Sequence, residues 1–69
     1  MATIYQKVGE NIRKLRKKQG LSQEKLAELS RIDPKSIIQI ENGKRNPTLK
    51  TLRRIALVFK ISPSELLQE

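Results

Sequence analysis

The amino-acid sequence predicts an all-α fold, a compact domain of five helices, and three observations support this class. No segment of the 69 residues alternates apolar and polar residues with the period of two that is typical of a half-buried strand. Apolar residues instead recur three or four positions apart, which places them on one face of a helix. Only three glycines and three prolines interrupt the chain. We therefore expect residues 1–69 to form a single domain.

The first helix is predicted to begin at Thr3, because Thr3 and Gln6 have the spacing of a capping box. Gly20 is expected to end it. Its buried face is predicted to carry Ile4, Val8, Ile12 and Leu15. Its other face carries a run of cations, Lys7, Arg13, Lys14, Lys17 and Lys18, which is typical of a solvated helix surface.

The second helix is predicted to start after Ser22 as its N-cap and to run to about Leu29. Leu21 and Leu26 flank this cap at the spacing of a hydrophobic staple. The two leucines therefore indicate that the chain enters this helix from a packed turn.

The third helix is predicted to follow Asp33 as its N-cap, with Pro34 at its first position, where a missing backbone N–H is tolerated. Ile32 and Ile37 repeat the staple spacing, and Gly43 ends the helix. The second and third helices are short and are separated by a tight turn at about residues 30–32. This arrangement is the sequence outline of a helix-turn-helix.

The fourth helix is predicted from Thr48 to about Phe59. Its inward-facing residues are predicted to be Leu49, Leu52, Ile55, Ala56 and Phe59. A fifth helix is predicted in the segment "PSELL", because Ser62 can cap it, Pro63 stands first, and Glu65 completes a capping box. Each predicted helix thus begins at a capping residue, and these residues define the order of the helices along the chain.

Composition restricts the functional classes that remain. Fifteen Lys and Arg against seven Asp and Glu give a net charge of +8, and this charge is divided evenly between residues 1–30 and 31–69. Nucleic acid, an anionic membrane surface or an acidic protein are the partners that such a charge favours. The chain has no cysteine and no histidine, so we expect no disulfide, no metal site and no cofactor. The absence of cysteine suits a reducing compartment, and we expect a cytoplasmic protein.

Two blocks, "LRKKQGLSQEKLA" and "IENGKRNP", make a more specific comparison possible. Together with the segments around them, over residues 8–67, they resemble the Cro and C1 repressor type of helix-turn-helix domain, which has a lambda-repressor-like fold. The resemblance implies that the motif occupies about residues 23–42. It also implies that the third helix is the recognition helix, which enters the major groove of DNA.

The resemblance places the base-reading positions on the first part of the third helix, at Pro34, Lys35, Ser36, Ile38 and Gln39. Spacing agrees, since residues 35 and 39 are one turn apart and lie opposite the apolar positions. Gln39 can form two hydrogen bonds with an adenine, and Lys35 can approach a guanine. Pro34 and Ile38 can offer only van der Waals contact, for example to a thymine methyl group. Ile38 is a departure from the family, which usually has a polar residue there.

The resemblance assigns DNA backbone contacts to residues outside that row. Gln23, at the start of the second helix, is expected to touch a phosphate, and Lys44, Arg45 and Asn46 are expected to follow the backbone. Arg31 is also expected to lie close to the backbone. The family usually has glycine at this position in the turn. Either Arg31 therefore adopts a left-handed conformation at a cost of about 1 kcal/mol, or the turn has a different shape.

Arg16 and Glu41 match a pair that forms a partly buried salt bridge between the first and third helices of related domains. A catalytic role for Glu41 is disfavoured, because no second acid, histidine or metal-binding set accompanies it. No catalytic residue is therefore expected, and the chain is not expected to be an enzyme.

Apolar residues in the C-terminal third exceed what one small core needs. Relatives commonly pair through their last helices, so a homodimer interface is expected at Leu57, Val58, Ile61 and Leu67. The alternative is that these residues only seal the core.

The expected function is that of a sequence-specific regulator of transcription that binds double-stranded DNA as a homodimer on an inverted repeat, with repression as the default outcome. The main alternative is a protein-interaction module that docks an acidic partner. Membrane binding is disfavoured because Trp is absent, and RNA binding because only one Tyr and one Phe could stack on bases. A restriction–modification controller, a phage-type repressor, an antitoxin and a fragment of a longer regulator all remain open.

Overall fold

The computed structural model describes residues 3–69, and helices are the only regular secondary structure in this part of the chain. Four α-helices are followed by a short 3-10 helix. Their bounds are α1 Ile4–Lys18, α2 Gln23–Ser30, α3 Pro34–Glu41, α4 Leu49–Phe59 and the 3-10 helix Pro63–Leu67. The all-α prediction is confirmed. None of the helices within residues 3–69 is long and apolar enough to cross a bilayer.

The predicted fifth helix is a 3-10 helix rather than an α-helix. It is five residues long, and the backbone N–H of Glu65 bonds to the carbonyl of Ser62, three residues earlier, at 3.1 Å. The Glu65 carboxylate in turn accepts a hydrogen bond from the N–H of Ser62 at 3.0 Å. A segment this short closes i→i+3 bonds before a full α-helical ladder can form.

The predicted caps define the starts of α1, α2 and α4. Thr3 Oγ1 accepts from the N–H of Gln6 at 3.1 Å, and Gln6 Oε1 accepts from the N–H of Thr3 at 2.8 Å, so the capping box is complete. Ser22 caps α2 through the N–H of Lys25, and Thr48 caps α4 in the same way. These bonds satisfy N–H groups that have no partner inside a helix.

Asp33 occupies the N-cap position of α3, but its side chain makes no capping hydrogen bond. Pro34 begins the helix as predicted, and its ring fixes the first turn without that bond. The Asp33 carboxylate is therefore left exposed beside the start of α3.

The core draws apolar residues from all five elements. Its fully buried large side chains include Val8, Ile12, Leu26, Ile37, Ile40, Ile55 and Leu66. Two predictions of buried residues are wrong, since Ile4 is 42% exposed and Leu49 is 78% exposed. Each is the first residue of its helix. A side chain there tilts toward the N-terminus, away from the turns that pack on the core.

Gly9 brings the backbones of α1 and α3 into direct contact. A Cβ atom at this position would lie 2.4 Å from the carbonyl oxygen of Ile40 and 2.7 Å from that of Glu41. Only a residue without a side chain allows this approach. The crossing at Gly9 therefore sets how far the C-terminal end of α3 lies from α1.

Candidate nucleic-acid interface

α3 is anchored by two isoleucines and presents its polar flank outward. Ile37 and Ile40 are 0% and 1% exposed. The predicted base-reading residues lie on the other sides of the helix: Pro34, Lys35 and Ile38 are exposed, and Ser36 and Gln39 are half-buried. The apolar anchor therefore holds α3 so that this row faces solvent.

The turn between α2 and α3 takes its shape from Arg31. This residue adopts the left-handed conformation, with φ 59° and ψ 43°, directly after α2. The N–H of Ile32 then bonds to the carbonyl of Ala27 at 3.0 Å, and Ile32 packs against the core. Arg31 therefore accepts the conformation for which the family usually uses glycine.

Arg45 lies against the predicted base-reading row. Its Nη1 donates to Ser36 Oγ at 2.6 Å, and a longer bond of 3.4 Å reaches Gln39 Oε1. The sequence did not suggest this contact, because it joins residues nine and six positions apart across an irregular loop. The contact orients Gln39, since its amide oxygen points toward Arg45 and its amide nitrogen remains available as a donor.

The loop after α3 keeps its remaining polar residues exposed. Gly43 turns the chain with φ +71°, and the N–H of Lys44 bonds to the carbonyl of Gln39 at 3.0 Å, which closes the end of the helix. The side chains of Lys44 and Asn46 are exposed beside it. Both therefore lie in the segment that follows the predicted base-reading residues of α3.

Gln23 is held by a buried ion pair beneath the start of α2. Arg16 Nε donates to Glu41 Oε2 at 2.6 Å and Arg16 Nη2 to Glu41 Oε1 at 3.0 Å. Gln23 Nε2 donates to the same Oε1 at 3.1 Å, and Arg16 Nη1 donates to the carbonyl of Leu21 at 2.8 Å. The pair thus connects α1, α3 and the start of α2, and the amide of Gln23 keeps one N–H for another acceptor.

The cations around α3 have no carboxylate partner within the described residues 3–69. Lys35, Lys44 and Arg45 take part in none of the ion pairs in that part of the chain, which are Lys7–Glu10, Arg16–Glu41 and Lys25–Glu28. Lys35, Lys44 and Arg45 therefore keep their charge available for an anionic ligand. On the outer face of α2, by contrast, Lys25 donates a hydrogen bond to Glu28, and this bond together with the positive charge of Lys25 lowers the pKa of Glu28.

No group of three His, Cys, Asp or Glu residues within residues 3–69 is placed to hold a metal ion. The buried carboxylate of Glu41 accepts hydrogen bonds from Arg16 and Gln23.

The residues expected at a dimer interface differ in exposure. Leu57 is 65% exposed and Leu67 is 39% exposed, whereas Val58 and Ile61 are half-buried and pack against the core. Leu29 at the end of α2 is also exposed, and with Leu57 and Val58 it lines a groove between α2 and α4. An apolar surface thus remains uncovered on the C-terminal part of the chain.

Two short helices joined by a tight turn, with an outward polar flank on the second helix and unpaired cations around it, define a DNA-binding helix-turn-helix domain. The chain belongs to the helix-turn-helix family HTH_3, whose model matches residues 12–66.

Similar proteins include regulators of two kinds. The control protein C.MunI from a Mycoplasma species is 40% identical across 100% of this chain and 95% of its own length. The crystal structure of the restriction-modification controller protein C.AhdI from Aeromonas hydrophila has a TM-score of 0.87 and 40% identity, with 90% of this chain and 94% of that chain covered. The transcriptional regulator PuuR of Escherichia coli K12 is 38% identical over 88% of this chain, which spans only 33% of PuuR.

Proposed function

We propose that this protein is a sequence-specific regulator of transcription that binds double-stranded DNA as a homodimer on an inverted repeat, with repression as its default effect. The observation that carries the proposal is the orientation of α3. Ile37 and Ile40 are buried, while Lys35 is exposed and Gln39 accepts a hydrogen bond from Arg45. A helix presented in this way can enter the major groove and contact base edges.

The side chains fall into two groups with different proposed roles on DNA. The base-reading residues would be Pro34, Lys35, Ser36, Ile38 and Gln39. The residues that position the protein on the backbone would be Gln23, Arg31, Lys44, Arg45 and Asn46. Because one N–H of Gln23 is already committed to Glu41, that side chain would approach a phosphate in a single fixed orientation.

The similarity to controller proteins favours one type of regulator. Two controllers, one compared by sequence and one by structure, are each 40% identical to this chain. We therefore propose a controller-type regulator, which acts in the cytoplasm on DNA present in the same compartment.

The homodimer would form through Leu57, Val58, Ile61 and Leu67, where apolar surface is uncovered. A two-fold axis would place the two α3 helices in successive major grooves. The centres of the half-sites would then lie about 34 Å, or roughly 10–10.5 bp, apart.

Selection of bound duplexes from a random pool at physiological salt tests the proposal. We expect the selected duplexes to share an inverted repeat with that spacing, and to bind with an affinity that falls steeply as salt rises. Binding with no sequence preference, or no binding to any duplex together with binding to an acidic protein, would contradict it.

A further inference from the structure

A polar pocket lies between the helix-turn-helix turn, the start of α3 and the start of α4. Three arginines reach it from three different segments: Arg31 from the turn, Arg45 from the loop after α3, and Arg54 from α4. Arg54 also donates to the backbone carbonyl of Arg31 at 3.5 Å, so α4 is tied to the turn at this point. We call this site the arginine pocket.

The charge of the arginine pocket favours an anion. The only carboxylate among its lining residues is that of Asp33, which makes no capping bond and pairs with none of the three arginines within 4 Å. The lining side chains therefore sum to a net charge of about +2. Guanidinium groups that approach from several directions suit the tetrahedral oxygens of a phosphate.

Hydroxyl and amide donors complete the lining. Thr48 Oγ1 donates to Thr51 Oγ1 at 3.0 Å, so the hydroxyl hydrogen of Thr51 remains free to bond to another acceptor. Asn46 also lines the pocket and is exposed. Both are neutral donors of the kind that proteins use on DNA phosphates.

The arginine pocket is continuous with the base-reading row. Ser36 lines the pocket, and its hydroxyl accepts from Arg45, which also reaches Gln39. A duplex whose major groove holds α3 would place its backbone along the edge of this row. We propose that the arginine pocket binds one phosphodiester of the DNA backbone and that Arg54 of α4 is its additional contact residue.

This inference rests on the proposed DNA-binding function and adds to it a residue outside the helix-turn-helix motif. Arg54 and Arg53 are adjacent on α4, and both are exposed. Only Arg54 lines the pocket. Arg53→Ala therefore removes the same charge from the same helix and serves as a matched control for Arg54→Ala.

The first test is a titration of a selected duplex at several salt concentrations. Loss of one phosphate contact reduces the slope of log K against log salt by about 0.9. Arg54→Ala should therefore lose about 3.5-fold more affinity at 50 mM than at 200 mM salt, while Arg53→Ala should keep the wild-type slope. Circular dichroism and urea unfolding establish that both variants fold.

The second test uses a variant that should bind DNA more tightly than the wild type. Because the Asp33 side chain makes no capping bond, Asp33→Asn should keep α3 intact while it removes the negative charge from the pocket. We expect it to bind the duplex more tightly than the wild type. Unchanged or weaker binding would contradict an anion in this pocket.

The third test locates the phosphate itself. Neutral methylphosphonate linkages are introduced one at a time along the duplex, and each is measured with the wild type and with Arg54→Ala. One position should weaken the wild type clearly more than it weakens Arg54→Ala, which keeps Arg31 and Arg45 at the pocket, as expected when Arg54 and that phosphate are coupled.

The outcomes separate the two proposals. If the wild type prefers its selected duplex but Arg54→Ala and Arg53→Ala behave alike, the arginine pocket is not a phosphate site and the proposed function stands. The same conclusion follows if no methylphosphonate position couples to Arg54. If the wild type binds no duplex, both proposals are wrong.

Discussion

The guanidinium of Arg16 and the carboxylate of Glu41 meet in a two-point ion pair that joins α1 to α3, with N···O distances of 2.6 and 3.0 Å. The side chains are 10% and 2% exposed. All their mutual hydrogen bonds are charge-assisted, and Gln23 adds a further donor to the carboxylate. The pair holds α3 at a fixed position relative to α1.

Removal of one partner should therefore destabilise the fold strongly. Glu41→Ala leaves the Arg16 charge buried without a partner, and we expect a loss of about 3–5 kcal/mol in the free energy of unfolding. Urea unfolding measures this loss. Replacement of both residues together, as Arg16→Met with Glu41→Leu, should restore most of the stability. A double variant as unstable as Glu41→Ala would show that the pair itself supplies the stability.

Gly9→Ala tests the close contact between α1 and α3. Alanine normally stabilises a helix by about 1 kcal/mol relative to glycine, but here the new Cβ would meet two backbone carbonyl oxygens at 2.4 and 2.7 Å. We expect a net loss of about 1–3 kcal/mol, as is typical of overpacking, measured by urea unfolding. The control is Gly20→Ala, where nothing lies within 4 Å and the expected cost is only that of alanine at φ +70°, about 1 kcal/mol. The prediction is wrong if Gly9→Ala is as stable as the wild type.

Arg31→Gly should separate stability from DNA binding. Glycine removes about 1–2 kcal/mol of left-handed strain and loses about 0.5–1 kcal/mol in conformational entropy, so the free energy of unfolding should stay equal or rise by up to about 1.5 kcal/mol. Affinity for DNA should fall, because a cation of the backbone surface is lost. Lys60→Gly is the matched control, since Lys60 also has φ near 60°. Lys60→Gly should change the free energy of unfolding by a similar amount and leave the sequence preference for DNA intact. If Arg31→Gly and Lys60→Gly lose the same affinity for DNA, the proposed role of Arg31 is wrong.

The sequence predicted the helix order because local signals govern helix starts. Thr3, Ser22 and Thr48 each bond to an N–H three residues along the chain, and such contacts need no knowledge of tertiary structure. Asp33 shows the limit of this reasoning, since α3 begins at Pro34 without a capping bond from the Asp33 side chain. Helical periodicity likewise placed Leu49 on the inner face, although the first turn of α4 extends beyond the core.

The site could be predicted only in part, for a related reason. The anchoring of α3 by Ile37 and Ile40 follows from spacing. The contact of Arg45 with Ser36 and the approach of Arg54 to the turn depend on the path of the loop from residue 42 to 48. No periodic pattern determines that path, and residues brought together by it become visible only in the folded chain.

Gln39→Ala should change the sequence preference of DNA binding, whereas Lys44→Ala should change the affinity for all duplexes. The proposed role of Gln39 is contact with a base edge, so its loss should relax preference at one base pair and cost about 1–3 kcal/mol there. Lys44 is exposed beside the row, so its loss should weaken every duplex and reduce the salt slope by about one unit. Competition titrations with single-base-pair variants of the selected duplex measure both effects. Equal losses across all sequences for both variants would show that residues 39 and 44 do not divide these roles.

Leu57→Asp tests the proposed dimer. Leu57 is 65% exposed, so a carboxylate there can remain hydrated in a monomer but would be buried without a partner in an apolar interface. We expect the variant to keep the wild-type helicity and to sediment as a monomer at concentrations where the wild type is a dimer. Leu49→Asp is the matched control, because Leu49 is 78% exposed at the other end of α4 and lies outside the proposed interface. On an inverted repeat, Leu57→Asp should bind each half-site independently, with an affinity reduced to that of a single half-site. If analytical ultracentrifugation finds Leu57→Asp as dimeric as Leu49→Asp, the two copies pair through a different surface.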